Sequence, residues 1–339
     1  MAIALFSTAI GGFVMATFPS FLVLQILYAY WGFTTVFLFW GAMIKATRLW
    51  GGGKNQGKAF GFLDGGRGIV AASMGSIGVF IFSIFLKTEI NLASVVEKQE
   101  AFRYVILFSS FTVIIIGALV LYFMDNKQKH QVKKNSSINS IKNIRSVLKI
   151  KSVWLMMMII MSAYVGYKLT DIYSLYASEV MLYNQIEAAE IGALQLYLRP
   201  LVCLVIGLLA DKTSSIRWII IGFFIMLIGA LLFASGIITS SMNIIFSLSL
   251  IITAVGTYAI RALYFAVFNE GRIPLELTGT AVGIISIIGY TPDIFATPII
   301  GYLLDTYPGI IGHQYVFMML VIFSILGLFA SIKFSKLNS

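Results

Sequence analysis

Apolar stretches of roughly 20 residues recur along almost the whole chain, separated by short polar segments. As a helix, each stretch is long enough to cross a hydrocarbon core about 30 Å thick. The pattern therefore predicts an all-α protein, a polytopic bundle of about ten transmembrane helices with no sizeable soluble domain. The predicted spans are residues 3–18, 20–44, 61–86, 102–124, 153–176, 190–210, 217–236, 242–268, 278–304 and 312–333.

Composition agrees with a chain that is solvated by lipid. Hydrophobic residues make up 59% and charged residues 11% of it, whereas a soluble domain is about half apolar and a quarter charged. The single cysteine, Cys203, lies inside an apolar stretch, so no disulfide framework is expected. The first apolar stretch has no lysine or arginine before it, which predicts a mature spanning helix instead of a cleaved signal peptide.

The positions of the charges matter more than the net charge of +10, which in a soluble protein would suggest nucleic acid. With the N-terminus on the cytoplasmic side, 17 lysines and arginines fall in inner loops and tails and only three in outer loops. Inserted proteins show this bias toward basic cytoplasmic loops. We therefore expect a multi-pass inner-membrane protein with both termini in the cytoplasm, in contact with the lipid bilayer and not with nucleic acid.

One long polar segment divides the chain. Residues 125–152 contain eight lysines and arginines between Lys127 and Lys151, and predict a basic cytoplasmic linker whose charge could also rest on anionic headgroups. The division gives an N-terminal half of four helices, residues 1–124, and a C-terminal half of six helices, residues 153–339. The motif G-x-A-x-G opens a helix at residues 57–61 and again at 279–283. This repetition favours two related, pseudo-symmetric halves.

The loop after the sixth predicted helix carries a more specific motif. It reads GLLADKTSSIR over residues 207–217 and resembles the G-x-x-x-D-[RK]-x-G-[RK]-[RK] loop between the eighth and ninth helices of the major facilitator superfamily. Here a serine replaces the second glycine, and only Arg217 remains of the final basic pair. The strings QGKAFGFLDGGRG, GYTPDIF and GYLLDTYPG are similar to a bacterial branch related to organic-anion and sugar-acid permeases.

This resemblance covers the full chain and implies that its ten predicted helices match helices three to twelve of the family. It also implies a secondary transporter whose two halves alternate access around a central cavity. In the family the first two helices line that cavity and carry the stronger copy of the loop motif, and here they would fall before Met1. A shortened gene, a misassigned start and a true ten-helix variant all fit the sequence.

Ionisable residues inside the predicted helices are the first candidates for function, because each costs about 2.5 to 3.5 kcal/mol near the bilayer centre. Arg199 is the first candidate for substrate contact because its position along the helix places it near the midplane of the bilayer. It also precedes Pro200, where a local break could aim the guanidinium into a cavity. The alternative is a structural ion pair with Asp171 or Asp293. The group comprises Asp64, Arg67, Lys168, Asp171, Arg199, Arg261 and Asp293.

Further substrate contacts are expected on the fifth predicted helix. Lys168 and Asp171 are spaced i and i+3, share a face and are expected to neutralise each other. Tyr164 and Tyr167 add hydroxyls and ring faces suited to an oxygen-rich solute, or are simply core aromatics. Asp293 follows Pro292 and is either a proton-coupling carboxylate or a permanent anchor for an arginine.

Four residues are candidates for coupling or gating, besides Asp293. Asp64 and Arg67 are spaced i and i+3 on the third predicted helix and form either a gate latch or a plain interfacial ion pair. Arg261 is a gating candidate or a side chain that snorkels to the interface. Asp211 belongs to the loop motif. The third helix also bears a stripe of small residues that predicts a tight helix contact: Gly61, Gly65, Gly68, Ala72 and Gly75.

Enzyme chemistry finds little support in the sequence. It contains no H-E-x-x-H, nucleophile-elbow or P-loop motif, and His130 and His313 are expected on opposite sides of the membrane, so no metal or other cofactor is predicted. The leading hypothesis is a proton-coupled or exchange-type permease for a small organic anion, because the predicted helices contain four cationic side chains and three aspartates. The alternative is a non-transporting remnant, membrane sensor or scaffold derived from such a permease.

Overall fold

The computed structural model describes residues 1–86, 93–124 and 140–338 of the chain. Every regular element in these ranges is helical. Residues 125–139 of the predicted linker, with His130, lie outside the described residues. In chain order the helices are α1 Ala2–Met15, α2 Phe21–Gly51, α3 Gln56–Phe85, α4 Val95–Phe123, α5 Ser140–Leu148, α6 Lys151–Glu179, α7 Gln185–Lys212, α8 Ser215–Ala234, α9 Asn243–Leu263, α10 Leu275–Thr306 and α11 Ile310–Asn338.

The apolar stretches of the sequence correspond to ten of these helices. In the described part of the chain, α2 to α4 and α6 to α11 are nine helices long and apolar enough to cross a membrane, and the apolar α1 is shorter, with 14 residues. Helices are the favoured solution in lipid because they satisfy every backbone donor and acceptor within one segment. The prediction of a polytopic all-α bundle is confirmed.

Contacts divide the chain into two compact units. The first contains Met1–Ala46 and Val70–Asn143, and the second contains Thr47–Ile69 and Ile144–Ser339. Helix α3 is therefore shared, with its first half in the second unit and its second half in the first. The candidate residues identified from the sequence all lie in the second unit.

The first unit is organised around α1, which packs against α2 and α4. Trp31 of α2 donates its indole N–H to the carbonyl of Thr8 at 3.0 Å. Phe13 and Phe111, from α1 and α4, meet edge to face with ring centroids 5.3 Å apart. Because lipid offers little hydrophobic driving force between helices, such packing and hydrogen bonds hold the unit together.

The second unit has an aromatic core formed by α6, α8, α9 and α11. Tyr176 stacks on Phe246 with centroids 5.6 Å apart, and Phe233 stacks on Phe317 at 4.3 Å. All four side chains are fully buried. Stacked and edge-on aromatic pairs of this kind contribute about 0.5 to 1.5 kcal/mol each beyond their burial, so this core stabilises the packing of α6, α8, α9 and α11.

Two helices of this unit are interrupted near charged side chains. In α6 the α-helical backbone ends at Lys168 and passes through a 3₁₀ turn, Leu169–Asp171. In α10 it ends at Gly289 and resumes at Pro292, which has no N–H to donate. The interruptions lie beside Lys168, Asp171 and Asp293. By contrast, α7 continues through Pro200 without a break, so the predicted break next to Arg199 is wrong.

Candidate functional site

One carboxylate, that of Asp64 on α3, is shared by three arginines. Arg199 of α7 lies 2.9 Å away through Nη2 to Oδ1 and 3.3 Å through Nε to Oδ2. Nε of Arg261, on α9, lies 3.4 Å from both oxygens. Arg67, one turn along α3, places Nη1 3.4 Å from Oδ1. The Asp64–Arg67 pair predicted from the i, i+3 spacing is therefore present, as part of a larger cluster.

The cluster is buried and carries excess positive charge. The side chains of Asp64, Arg199 and Arg261 are 7%, 10% and 6% exposed. Ions this deep persist only when they are paired, because an unpaired buried charge is strongly destabilising. The two buried guanidiniums, those of Arg199 and Arg261, share the single carboxylate of Asp64, so one buried positive charge remains that Asp64 does not neutralise.

The structure corrects two predictions about these arginines. The carboxylate partner of Arg199 is Asp64, and not Asp171 or Asp293. Arg261 does not snorkel to the interface, because its guanidinium carbon lies 3.6 Å from the centroid of the Tyr167 ring, inside the unit. Its Nη1 is buried and has no hydrogen-bond partner among the described residues.

Glycines bring α3 close enough to α7 for these contacts. A Cβ at Gly61 would lie 2.6 Å from the carbonyl oxygen of Cys203, and one at Gly57 would lie 2.5 Å from that of Gly207. Real Cβ atoms do not approach a backbone oxygen so closely, so the helices could not pack here with alanine. The predicted tight contact is thus formed by Gly61, Gly65 and Gly68, whereas a Cβ at Gly75 would meet nothing within 4 Å.

A cavity of about 230 Å³ lies beside the cluster. Arg199, Tyr167 and Asp171 line it, so three of the residues predicted to bind substrate come together here. Gln195 also lines the cavity and is only 4% exposed. Its Oε1 accepts a hydrogen bond of 3.2 Å from Tyr258, while its Nε2 has no partner among the described residues.

Lys168 belongs to a second charged group. Its Nζ lies 2.5 Å from Oδ1 of Asp293, and the hydroxyl of Tyr164 donates to Oδ2 at 3.0 Å. The predicted pair between Lys168 and Asp171 is therefore wrong, because the interruption of α10 brings Asp293 to the lysine instead. The two groups are connected through rings, with the centroids of Tyr164 and Tyr167 5.7 Å apart.

Asp211 of the loop motif caps the start of α3. Its two carboxylate oxygens accept hydrogen bonds from the backbone N–H of Gly57 at 2.6 Å and of Lys58 at 2.8 Å. The first N–H groups of a helix have no partner within the helix, and the helix dipole favours a negative charge there. This cap ties the end of α7 to the beginning of α3.

Arg48 forms a further buried contact that the sequence did not reveal as special. It is 5% exposed and donates from Nε and Nη2 to Oδ1 of Asn269, at 3.1 and 2.8 Å, and from Nη1 to Oγ1 of Thr278 at 2.8 Å. Nη2 also donates to the carbonyl of Ile273 at 2.5 Å. Its position near the end of a span makes Arg48 look like an ordinary inner-loop cation, and none of these three hydrogen-bond acceptors is charged.

A sequence model described as the Major Facilitator Superfamily matches residues 1–295 of the chain. The chain belongs to this superfamily. Two relatives from Escherichia coli K12 are similar to this superfamily member over most of its length. Inner membrane protein YqcE is 27% identical over 322 residues, which cover 93% of this chain and 74% of the relative. Inner membrane protein YihN is 26% identical over 345 residues, which cover 99% of this chain and 79% of the relative.

Solved structures share the superfamily fold with this chain. The transporter FucP, in the outward conformation, superposes with a TM-score of 0.67 at 14% identity, over 100% of this chain and 82% of FucP. A bacterial homologue of the iron transporter ferroportin, in an outward-facing state, gives 0.61 at 11% identity, over 99% and 80%. This superfamily member is thus a multi-pass inner-membrane protein with the fold of a transporter.

Proposed function

We propose that this protein is a secondary transporter that moves a small anionic organic solute across the inner membrane by alternating access, with Arg199 as the residue that binds the anion. The observation that carries the proposal is the shared carboxylate of Asp64. Three guanidiniums surround it, and one of them, Arg199, also lines the adjacent cavity. A buried site in which Arg199 and Arg261 share one carboxylate, with room beside it, favours an anionic ligand.

Unused hydrogen-bond donors support the same reading. Nη1 of Arg261 and Nε2 of Gln195 are buried without partners among the described residues. A buried donor left without an acceptor costs about 1 to 3 kcal/mol, and a solute oxygen in the cavity would remove that cost for Gln195, which lines it. The Tyr167 and Tyr258 side chains, with that of Asp171, add polar atoms around the cavity.

The geometry suggests how the anion is received. Arg199 already holds a carboxylate in a two-bond arrangement, which is the geometry in which guanidinium binds carboxylate or phosphate most strongly. A solute anion entering the cavity takes over Arg199 from Asp64, while Asp64 stays neutralised by Arg67 and Arg261. In this exchange no charge is left unpaired in the interior.

The contacts around Asp211 and Arg48 serve as the inner latch. They join the start of α3 to the end of α7, and the end of α2 to the loop that precedes α10. Most of these are hydrogen bonds to backbone or to neutral side chains, which water can replace when the segments separate. Alternating access requires such contacts to break and form again in each cycle. They must also be weak, because a ligand can shift the equilibrium between the two states only by its difference in affinity for them.

An ion gradient or exchange of a second anion supplies the energy in this proposal. Asp293 is the carboxylate proposed for proton coupling, since its side chain is 48% exposed while it holds Lys168. Protonation of Asp293 would remove the charge that holds Lys168 and so release the lysine. Asp64 is the second candidate, because neutralising it would release Arg199 to bind the solute.

Transport into proteoliposomes tests the proposal. Proteoliposomes that contain the protein are loaded with one organic acid, and the uptake of radiolabelled organic acids is followed with and without an imposed pH gradient. Neutral and cationic solutes of similar size are tested in the same way. We expect uptake of at least one anion, a loss of at least tenfold in Arg199→Gln, and partial retention in Arg199→Lys, which keeps the charge but not the planar fork.

Lys333→Gln is the matched control because this lysine of α11 is exposed and makes no ion pair among the described residues. It should transport as the unchanged protein does. Uptake of neutral or cationic solutes alone, or anion uptake that Arg199→Gln leaves intact, would contradict the assignment of Arg199. Stimulation by a pH gradient identifies proton coupling, whereas dependence on internal anion identifies exchange.

A further inference from the structure

Helix α5 has two different faces side by side. Ile141, Ile144 and Leu148 follow an i, i+3, i+7 spacing and therefore lie along one side of the helix. All three are exposed, by 79%, 43% and 38%. Val147 is fully buried, so the helix is anchored on a third side. In the described part of the chain, protein thus leaves a large share of each of these three apolar side chains uncovered.

A basic stripe runs next to the apolar one. Lys142 and Arg145 follow the same spacing one residue later, Lys149 is the first residue after the helix, and all three are exposed. None of them forms an ion pair with any carboxylate that the structure describes. A surface in which an apolar stripe is bordered by cations matches the boundary between lipid acyl chains and anionic headgroups.

The position of α5 along the chain fixes its depth. It ends at Leu148, and the membrane-spanning α6 begins at Lys151, so the two ends are separated by at most roughly 11 Å of extended chain. Trp154, in the first turn of α6, is 51% exposed and donates its indole N–H to the carbonyl of Leu148 at 2.9 Å. Tryptophan concentrates at the membrane interface, so α5 is held at that level.

From these observations we propose that α5 lies flat on the membrane and binds anionic phospholipid, with Ile141, Ile144 and Leu148 at the acyl boundary and Lys142, Arg145 and Lys149 on the headgroups. The occupant of the exposed face is thus the bilayer surface itself. The proposal is independent of which solute the protein carries. It makes α5 an anchor that ties the start of α6 to the charge of the leaflet.

Spin labels on the full-length protein test the orientation. Ile144→Cys and Ser146→Cys are each labelled with a nitroxide in a Cys203→Ser background, and the protein is reconstituted into vesicles of phosphatidylcholine containing phosphatidylglycerol. Ser146 is the matched control because it is exposed on the other side of the same helix. We expect the label at position 144 to collide mainly with oxygen and the label at 146 mainly with a water-soluble nickel chelate.

Lipid charge tests the chemistry of the partner. In vesicles of phosphatidylcholine alone, the accessibility of the label at position 144 to the nickel chelate should rise severalfold. A triple variant should show the same rise in the presence of phosphatidylglycerol; it combines Lys142→Gln, Arg145→Gln and Lys149→Gln. A control triple variant, Lys54→Gln, Arg217→Gln and Lys333→Gln, removes equal charge from exposed positions elsewhere and should leave accessibility unchanged. If Cys203→Ser does not fold, Cys203 can be retained, because its thiol is fully buried. The signal of the parent protein treated with the same label is then subtracted from that of each labelled variant.

Three results would overturn the proposal. Equal nickel accessibility at positions 144 and 146 would show that water covers both faces. Shielding of position 144 from oxygen and nickel alike would show that protein, either another part of this chain or a second copy, covers the apolar stripe. Lipid exposure at 144 that is the same in charged and neutral vesicles would remove the anionic lipid as the partner.

Discussion

Arg199 and Asp64 are 135 positions apart in the chain, yet Nη2 of the arginine lies 2.9 Å from Oδ1 of the aspartate and Nε lies 3.3 Å from Oδ2. Both side chains are buried, and the pair joins α3 to α7 next to the cavity. The same carboxylate also faces Arg261 and Arg67. Asp64 is therefore the residue on which the charge compensation of the buried Arg199 and Arg261 depends.

Removing the Asp64 carboxylate should strongly destabilise the protein. Asp64→Ala leaves Arg199 and Arg261 buried without a counter-charge, and breaking a buried pair in this way costs about 3 to 5 kcal/mol. Thermal unfolding in detergent should show a large drop in the midpoint. Asp305→Ala, which alters an exposed aspartate on α10, should show almost none.

A double variant separates neutralisation from other effects of the Asp64 change. Adding Arg199→Leu to Asp64→Ala removes one of the stranded charges, so part of the lost stability should return. If the double variant is as unstable as the sum of the two single variants, then Asp64 and Arg199 are not energetically coupled and the cluster is not held by their ion pair.

Much of the fold could be predicted from the sequence because lipid leaves few options. Long apolar runs must be helices in a bilayer, and ten of them correspond to helices in the structure. Local spacing also identified the Asp64–Arg67 pair, because i and i+3 are neighbours on a helix. The glycine stripe of α3 predicted a close helix contact, which the structure places against Cys203 and Gly207.

Long-range partners could not be predicted in the same way. Nothing in the spacing of Arg199 points to an aspartate 135 residues away, and nothing in the helix pattern shows that Asp293 displaces Asp171 as the partner of Lys168. The acceptors of Arg48 are a neutral amide, a hydroxyl and a carbonyl, and no sequence spacing points to such partners. Such contacts depend on how helices pack, which the helix pattern alone does not specify.

The same substitution should have opposite effects at two glycines of α3. Gly61→Ala places a Cβ 2.6 Å from the carbonyl of Cys203, and overpacking of this kind costs about 1 to 3 kcal/mol. Gly66→Ala meets nothing within 4 Å, and alanine favours a helix over glycine by up to about 1 kcal/mol. Unfolding midpoints should therefore fall for the first and hold or rise for the second. Equal effects would mean that α3 and α7 are not in tight contact.

Tyr167 should stabilise Arg261 through its ring and not through its hydroxyl. Its centroid lies 3.6 Å from the guanidinium carbon, and a buried cation–π contact contributes about 0.5 to 2 kcal/mol. Tyr167→Phe keeps the ring and should unfold close to the parent temperature, whereas Tyr167→Leu should be destabilised. Tyr197→Leu, at a position 73% exposed on α7, is the control. Similar losses for Phe and Leu at position 167 would assign the effect to the hydroxyl instead.

Arg48 should control the opening of the loop that precedes α10. Its guanidinium is the donor for Asn269, Ile273 and Thr278, and hydrogen bonds to charged groups contribute about 1.5 to 3 kcal/mol each when considered singly. Arg48→Leu should therefore accelerate amide hydrogen exchange between residues 266 and 278, because the loop loses the side chain that fixes it. The exchange rate in Arg48→Lys should be intermediate, since one ammonium group cannot reach all the acceptors that the planar guanidinium binds.

Arg217→Leu removes an exposed arginine and should leave exchange in this segment unchanged. If Arg48→Leu also leaves it unchanged, the loop is held by its own backbone contacts and the proposed inner latch must be assigned to Asp211 alone.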